Sequence, residues 1–356
     1  MAFIELHTKK LKHNFDFLNK LFSSNDVKWG IVTKLLCGNP DFISEVAKLG
    51  CRQMMDSRVS NLRTIKSINP EIETIYIKPP AKRALKSIVK YADISFNTEL
   101  ATIKLLSEEA GKQKKVHKVI IMIEMGDLRE GVMGDDLMDF YGKIFNLPHI
   151  QVVGIGANLN CLNGIMPSED KLIQLSLYSQ LIQTRFNKTI PLVSGGSSVT
   201  VPLIFKHLVP KGVNHFRIGE TLFFGKDLFS DKLVPGMQRD VFMVFAEIIE
   251  LNEKPLIPSG EIGTNVAGEV KVFDDQDYGK TTYRAILDIG LLDIDIKNLE
   301  PVDEGVSFQG ASSDMIVLDL GVRKPKYKVG DLVAFRVNYM GTLSILNSDY
   351  ISKKVV

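Results

Sequence analysis

The stretch VKWGIVTKLLCGNPDFISEVAKLG, residues 27–50, decides the fold. Its first part, VKWGIVTK (27–34), is a short apolar run of strand type. Glycine and proline punctuation follows, and PDFISEVAKLG (40–50) then carries apolar residues at helical spacing behind a proline start. Strand, turn and helix make one βα unit, and the alternation recurs. Runs of strand type are CRQMMDSR (51–58), TIYIKPP (74–80), ADISFNT (92–98), HKVIIMIEM (117–125), QVVGIGANL (151–159), IPLVSGG (190–196) and HFRIGE (215–220). Helical patterns such as SEDKLIQLSLYSQLIQTRF (168–186) lie between them. Eight strands alternating with helices predict an α/β chain with a closed (β/α)8 barrel over roughly residues 10–228.

After LFSDKLVPG (228–236) the pattern changes. VFMVFAEIIEL, TYRAILDIG, DMIVLDLG and DLVAFRVNY look like strands joined by glycine-rich turns. The expected domains are therefore 1–228, the barrel, and 229–356, a β domain, with FIEL (3–6) a candidate to pair with the C-terminal sheet.

A chain of 356 residues has room for a large barrel and a smaller domain. With 45% hydrophobic and 24% charged residues and a net charge of +2, it has no electrostatic bias toward nucleic acid or an anionic membrane, and a small ligand is the expected partner. Cys37, Cys51 and Cys161 show no CxxC and no zinc-like histidine spacing, so no metal is expected and the cysteines fit a reducing compartment. The N-terminal MAFIELHTKKLKHNF lacks an apolar h-region and no run approaches a membrane span, which makes the cytoplasm the expected location.

Barrel enzymes gather their chemistry at the C-terminal ends of the strands, where Lys34 stands. A lysine there, partly desolvated by Trp29, Ile31 and Leu35, can condense with a carbonyl cofactor; the plainer alternative is a lysine snorkelling out of a strand end. SGGSS (194–198) after the seventh strand and RIGE (217–220) after the eighth fall where this fold commonly binds phosphate. Gly195, Gly196 and Gly219 would let backbone amides approach phosphate oxygens, and Ser197 or Ser198 would add a hydroxyl. Singly these are ordinary turns, but together with the lysine they match pyridoxal phosphate.

The motifs VTKLLCGNP, MMDSRVSNL, MGDLREGVM, GIGANLNCLNG, SGGSS, NHFRIGETLFFG, AILDIGLLDID and QGASSDMIVLD, in this order over nearly the whole chain, resemble the fold type III pyridoxal-phosphate enzymes. Within the alanine racemase class they resemble most the amino-acid racemases typified by ornithine racemase. The resemblance implies that Lys34 is the Schiff-base lysine and one of two acid/base groups, and that Arg217 faces the pyridine nitrogen. Glu220 remains an alternative for that place, because the decarboxylases of the class use a glutamate. Arg129 falls near the phenolate oxygen, Asn158 replaces a histidine packed on the ring, and Gly219 and Ser197 belong to the phosphate cradle. Tyr339 resembles a phosphate-binding tyrosine, with Tyr350 a weaker alternative. Cys161 reads as a small buried core residue or an active-site thiol.

The resemblance further implies a homodimer whose partner completes the site. Asp314 would then bind a distal substrate ammonium, selecting ornithine or lysine over alanine; a turn aspartate is the plainer alternative. Two positions depart from alanine racemase. Leu291 stands in place of the catalytic tyrosine and Gly38 in place of a second tyrosine. The second base is therefore expected at Ser313, or failing that Asp293. The competing readings are a basic amino-acid decarboxylase, a non-catalytic carrier of the cofactor and a structural barrel. RIGE argues against the first, and residues 236–356 argue against the second.

Overall fold

The computed structural model describes residues 2–264, 268, 270 and 272–356. The chain divides into two compact units, residues 11–239 and residues 1–10 with 240–356. Strand β1, Phe3–Leu6, belongs to the second. The first holds a closed parallel barrel of β2 (Lys28–Val32), β3 (Gln53–Asp56), β4 (Glu73–Tyr76), β5 (Ile94–Asn97), β6 (His117–Ile123), β7 (Ile150–Ala157), β8 (Leu192–Ser197) and β9 (His215–Ile218). Each lies on one of the eight runs read from the sequence. Closure is made by β9 against β2, with Gly30 opposite Arg217.

Local chemistry sets the element ends. Asn39 caps the helix Pro40–Ala47 by accepting from the Phe42 amide at 2.9 Å, and Pro40 occupies the first turn, where a missing N–H costs nothing. Ser168 caps Glu169–Phe186, accepting from the Lys171 amide at 3.3 Å, and Asn187 ends that helix in the left-handed conformation. The apolar core of the barrel collects Val32, Met55, Ile75, Ile94, Phe96, Ile120, Met122 and Val153, contributed by β2 through β7.

The second unit is a mostly antiparallel sheet. Its strands are β10 (Phe242–Pro255), β11 (Thr281–Leu287), β12 (Leu299–Pro301), β13 (Ser307–Ala311), β14 (Ile316–Asp319), β15 (Leu332–Val337) and β16 (Ser352–Val355). β10 pairs with β11 and β15, and β1 lies antiparallel to β10 and parallel to β16. FIEL thus pairs with the C-terminal sheet, as its sequence suggested. No helix among the described residues is long and apolar enough to cross a membrane.

Two buried histidines give the barrel a pH signature. Burial pushes His117 down to about 4, partly opposed by Asp93, and pushes His215 down to about 3, helped by Arg217 and Lys28. A folded value below the ordinary 6.5 means that the unfolded chain takes up protons first as pH falls. Folding free energy is therefore expected to drop by up to about 1.4 kcal/mol per pH unit per histidine as pH falls below 6.5, with the loss continuing toward the folded values. Urea midpoints at neutral and mildly acidic pH check this, and midpoints independent of pH in that window contradict it.

Candidate functional site

Lys34 opens a 3-10 turn, Lys34–Leu36, immediately after β2 and Thr33. The turn is pinned to the neighbouring strand. Thr33 donates its amide to the Met55 carbonyl at 2.8 Å and its hydroxyl to the Asp56 carboxylate at 2.8 Å. Asp56 is fully buried and also accepts from the Arg58 amide at 2.9 Å and from Asn61 Nδ2 at 3.2 Å. Burial raises the Asp56 carboxyl, and these hydrogen bonds oppose that rise. Gly38, at φ +82°, packs so close that a Cβ would come within 2.6 Å of Asn61 Oδ1. Any side chain here would have to displace Asn61.

The surroundings of Lys34 differ from the expectation. Trp29 does not shield it: the indole packs 5.4 Å from the rings of both Phe15 and Phe22, on the helix Thr8–Ser24. Successive strand residues point to opposite faces, and Ile31 and Leu35 are buried in the core while Lys34 itself is exposed. The nearby acid is Glu220, raised by burial and lowered in part by Lys226 and Lys34.

Arg217, in β9, is buried with 4% of its surface exposed. Its Nη1 donates to Ser194 Oγ at 2.7 Å and Ser194 O at 3.3 Å, and its Nη2 donates to the Ala157 carbonyl at 2.8 Å. The guanidinium lies 5.3 Å from the centre of the Phe96 ring. These partners are all neutral. Burial pushes the guanidinium down to about 10, a value at which it stays cationic at neutral pH. Nε–H is the donor left without an acceptor among the described residues.

Asn158 follows β7 and stands between two cations. With its amide oxygen toward Arg217 it accepts from Nη2 at 3.3 Å; turned over, it accepts from Arg129. Arg129 is half-exposed and forks onto Glu130. Cys161 is exposed rather than buried, with Asn158 Nδ2 3.1 Å from its sulfur. The core reading of this cysteine is therefore wrong: it lies on an exposed loop after β7 whose amides are gathered by Asp127. That carboxylate accepts from the amides of Cys161 and Leu162 at 3.0 Å each, of Asn163 at 3.1 Å and of Ile165 at 3.4 Å. Nothing in the spacing of Asp127 announced this role, since its partners lie more than thirty residues on.

At the ends of β8 and β9, Ser198 Oγ accepts from the amides of Gly219 and Thr221, both at 3.2 Å, so that the two loops share one hydroxyl. Ser197 ends β8, half-buried, and Gly219 precedes the helix Glu220–Phe224. Gly196 has φ +153°, and a Cβ there would meet Thr200 Oγ1 at 2.0 Å; that hydroxyl is buried without a partner. Gly195 has another task than the one expected: a Cβ on it would strike Val213 at 2.4 Å, so it serves close packing.

The remaining candidates belong to the sheet unit. Loops 290–293 and 312–315 are zipped by Leu291 and Leu292 amides donating to the carbonyls of Ser312 and Ser313, at 2.9 and 2.7 Å. Gly290 permits this, since a Cβ would lie 2.4 Å from the Asp314 backbone. Ser313 and Asp314 are exposed. Asp293 is engaged within its own unit, its carboxylate accepting from Ser348 Oγ at 3.1 Å and its carbonyl from Ser344 Oγ at 2.7 Å. Tyr339 is half-buried at the first turn of the helix Tyr339–Asn347, and Tyr350 is exposed. Among the described residues no group of His, Cys, Asp and Glu is arranged to hold a metal ion.

Comparison with known proteins gives this geometry its family. The model of the alanine racemase N-terminal domain matches residues 6–227. Ornithine racemase of Acetoanaerobium sticklandii is 37% identical over 99% of both chains, and lysine racemase of Thermotoga maritima is 31% identical over 98% of this chain and 96% of its own. The chain belongs to the alanine racemase superfamily. Solved alanine racemases share the fold at low identity. That of Clostridium difficile 630 superposes with a TM-score of 0.77 at 14% identity, covering 100% of this chain and 95% of its own. That of Bartonella henselae, with covalently bound pyridoxal phosphate, superposes with a TM-score of 0.73 at 16% identity, covering 100% and 99%.

Asp127 clasps the loop that follows β7. Burial raises the Asp127 carboxyl, but the four amides of Leu162, Asn163, Cys161 and Ile165 outweigh it and hold the carboxyl below its ordinary 3.8. The clasp is thus complete above that value and is lost as pH falls through the lower folded one. Asp127→Ala is expected to raise amide exchange at residues 161–165 by about tenfold or more. Unchanged protection there, read by hydrogen exchange, contradicts the clasp.

Proposed function

We propose that the chain is a pyridoxal-phosphate-dependent racemase of amino acids with a distal ammonium, ornithine or lysine, acting as a cytoplasmic homodimer. The observation that carries the reading is the buried Arg217: a permanent cation with neutral partners and one spare N–H at the C-terminal mouth of the barrel. A site built this way suits a neutral ring nitrogen that must accept a hydrogen bond without being protonated. The full-length likeness to an ornithine and a lysine racemase supports the substrate class.

The residues present fit the cofactor. Thr200 Oγ1, buried and unpartnered beside the bare Gly196, the hydroxyls of Ser197 and Ser198 and the amide of Glu220 would supply donors for a phosphate, while Gly219, its amide given to Ser198, shapes the turn. Lys34 would supply the amine that holds the aldehyde, and Arg129 and Asn158 would border the ring. When bound, pyridoxal phosphate supplies the electron sink that makes the α-proton acidic.

The chain's own groups then do the rest. Arg217, with Nε–H free, would donate to the ring nitrogen and, as a cation, would keep it unprotonated, which would limit the sink and favour return of the proton over loss of carbon dioxide. Glu220, the alternative for that place, is raised by burial and feels the charges of Lys226 and Lys34, which oppose that rise. Lys34 Nζ takes or returns the proton on one face. Ser313 of the second protomer serves the other face; Asp293, held by Ser348, is the second choice. Asp314 receives the distal ammonium by a charge-assisted hydrogen bond.

Proton NMR of L-ornithine, L-lysine, L-arginine and L-alanine with the protein and pyridoxal phosphate in deuterium oxide tests this. The expected result is loss of the α-proton signal with the skeleton intact, fastest for ornithine or lysine, and loss of nearly all exchange in Lys34→Ala. A new amine product, or no exchange with any of them, overturns the reading. Asp314→Ala is expected to lower kcat/KM for ornithine roughly 10- to 100-fold and to leave that for alanine nearly unchanged, as loss of one charge-assisted bond requires.

A further inference from the structure

Arg217 is one end of a hydrogen-bonded chain that starts at Glu73, on β4. Glu73 Oε2 accepts from Gln53 Nε2 at 2.7 Å, Gln53 Oε1 lies 2.9 Å from His215 Nε2, and His215 Nδ1 lies 2.8 Å from Ser194 Oγ. Ser194 Oγ in turn accepts from Arg217 Nη1 at 2.7 Å. The two ends differ in kind: a carboxylate only accepts and a guanidinium only donates. Each proton between them then has a single place. Gln53 must turn its NH2 to Glu73 and its carbonyl to the histidine. His215 must carry its proton on Nε2 and keep Nδ1 bare. Ser194 must give its O–H to Nδ1 and keep its lone pairs for Arg217.

Glycine makes the crossing possible. Strand β2 lies between β3, which carries Gln53, and β9, which carries His215. A Cβ on Gly30 would come within 2.8 Å of Gln53 Cβ and 2.4 Å of Met55 Cε, so only bare backbone lets the glutamine side chain pass.

We propose that Gln53, His215 and Ser194 are positioning residues for Arg217: the one-way chain from Glu73 holds the guanidinium as a full donor with Nε–H free, and a neutral His215 never competes with it for Ser194. The proposal rests on the reading in which Arg217 faces the cofactor ring. Electrostatics act in the same direction, because the charges facing His215 are Arg217 on β9 and Lys28 on β2, with Glu73 and its partner Lys118 beyond Gln53. Reversing the chain requires an imidazolium. Its Nδ1–H would make Ser194 Oγ accept from two donors at once and weaken its hold on Arg217.

The test uses the full-length protein with pyridoxal phosphate, as wild type and as Gln53→Glu, Ser194→Ala and Ser194→Thr. Long-range proton–nitrogen spectra between about pH 5.5 and 8.5 are expected to show wild-type His215 as the neutral Nε2–H tautomer throughout. Gln53→Glu, which puts a second acceptor-only group beside the ring, is expected to make His215 titrate. Its kcat for α-proton exchange then falls about tenfold per pH unit below the new histidine value, with KM within about twofold of wild type. Ser194→Ala lowers kcat at every pH, and Ser194→Thr, which keeps the hydroxyl, recovers most of it.

A wild-type His215 that titrates in this range or carries its proton on Nδ1 overturns the proposal. So does a Gln53→Glu protein whose histidine protonates without a new pH dependence of kcat. If no variant, wild type included, exchanges any α-proton, the functional reading has failed and the cofactor spectrum decides. A bound-cofactor absorbance that shifts in Gln53→Glu as His215 protonates upholds the relay, and an unchanged one overturns it.

Discussion

Burying a guanidinium without a carboxylate is costly, because the charge loses water and gains no opposite charge in return. Arg217 meets that cost with Ser194, the Ala157 carbonyl, Asn158 and the face of Phe96, none of them charged. Much of the barrel's local architecture serves this arrangement. β7 ends at the carbonyl that accepts from Arg217, β8 supplies Ser194, β5 supplies Phe96, and bare Gly30 on β2 lies opposite the arginine itself. A carboxylate partner would have stabilised the cation and removed its field from the mouth of the barrel. Neutral acceptors orient it and leave the charge in place.

Around this cation the chain adds two loop devices. Asp56 grips Thr33 and Asn61 to set the turn bearing Lys34, and Asp127 gathers successive amides of the loop after β7, from Cys161 onward. Both are buried carboxylates that act through hydrogen bonds to backbone or hydroxyl donors, which makes the loops part of the rigid scaffold. Lys34, exposed on its pinned turn, has its anchor fixed and its amine free, an arrangement suited to a group that must change partners during turnover.

The eight strands were legible because each repeats a short apolar run bounded by turn residues, a signal carried by neighbours in sequence. Lys34, SGGSS and RIGE were legible for the same reason: they sit at strand ends, and strand ends are where this fold works. What was not legible depends on side-chain direction and on pairs remote in sequence. Trp29 is five residues from Lys34 yet faces the helix Thr8–Ser24, and Gly195 looked like a phosphate turn yet answers to Val213. Cys161 read as core but is exposed, on a loop whose shape is set by bonds to Asp127, more than thirty residues earlier in the chain. Gln53 and His215 lie 162 residues apart, and no periodicity joins them. In the sheet unit the loss of the expected tyrosine at Leu291 was plain in the sequence, while the engagement of Asp293 by Ser348 needed the fold.

The central claim is that the barrel mouth holds pyridoxal phosphate on Lys34, and borohydride trapping tests it most directly. Protein loaded with the cofactor is reduced, digested and mapped by mass spectrometry. The account predicts one stable pyridoxyl adduct, on the peptide carrying Lys34, and its absence when Lys34 is replaced. An adduct on another lysine, or none at all, would contradict it.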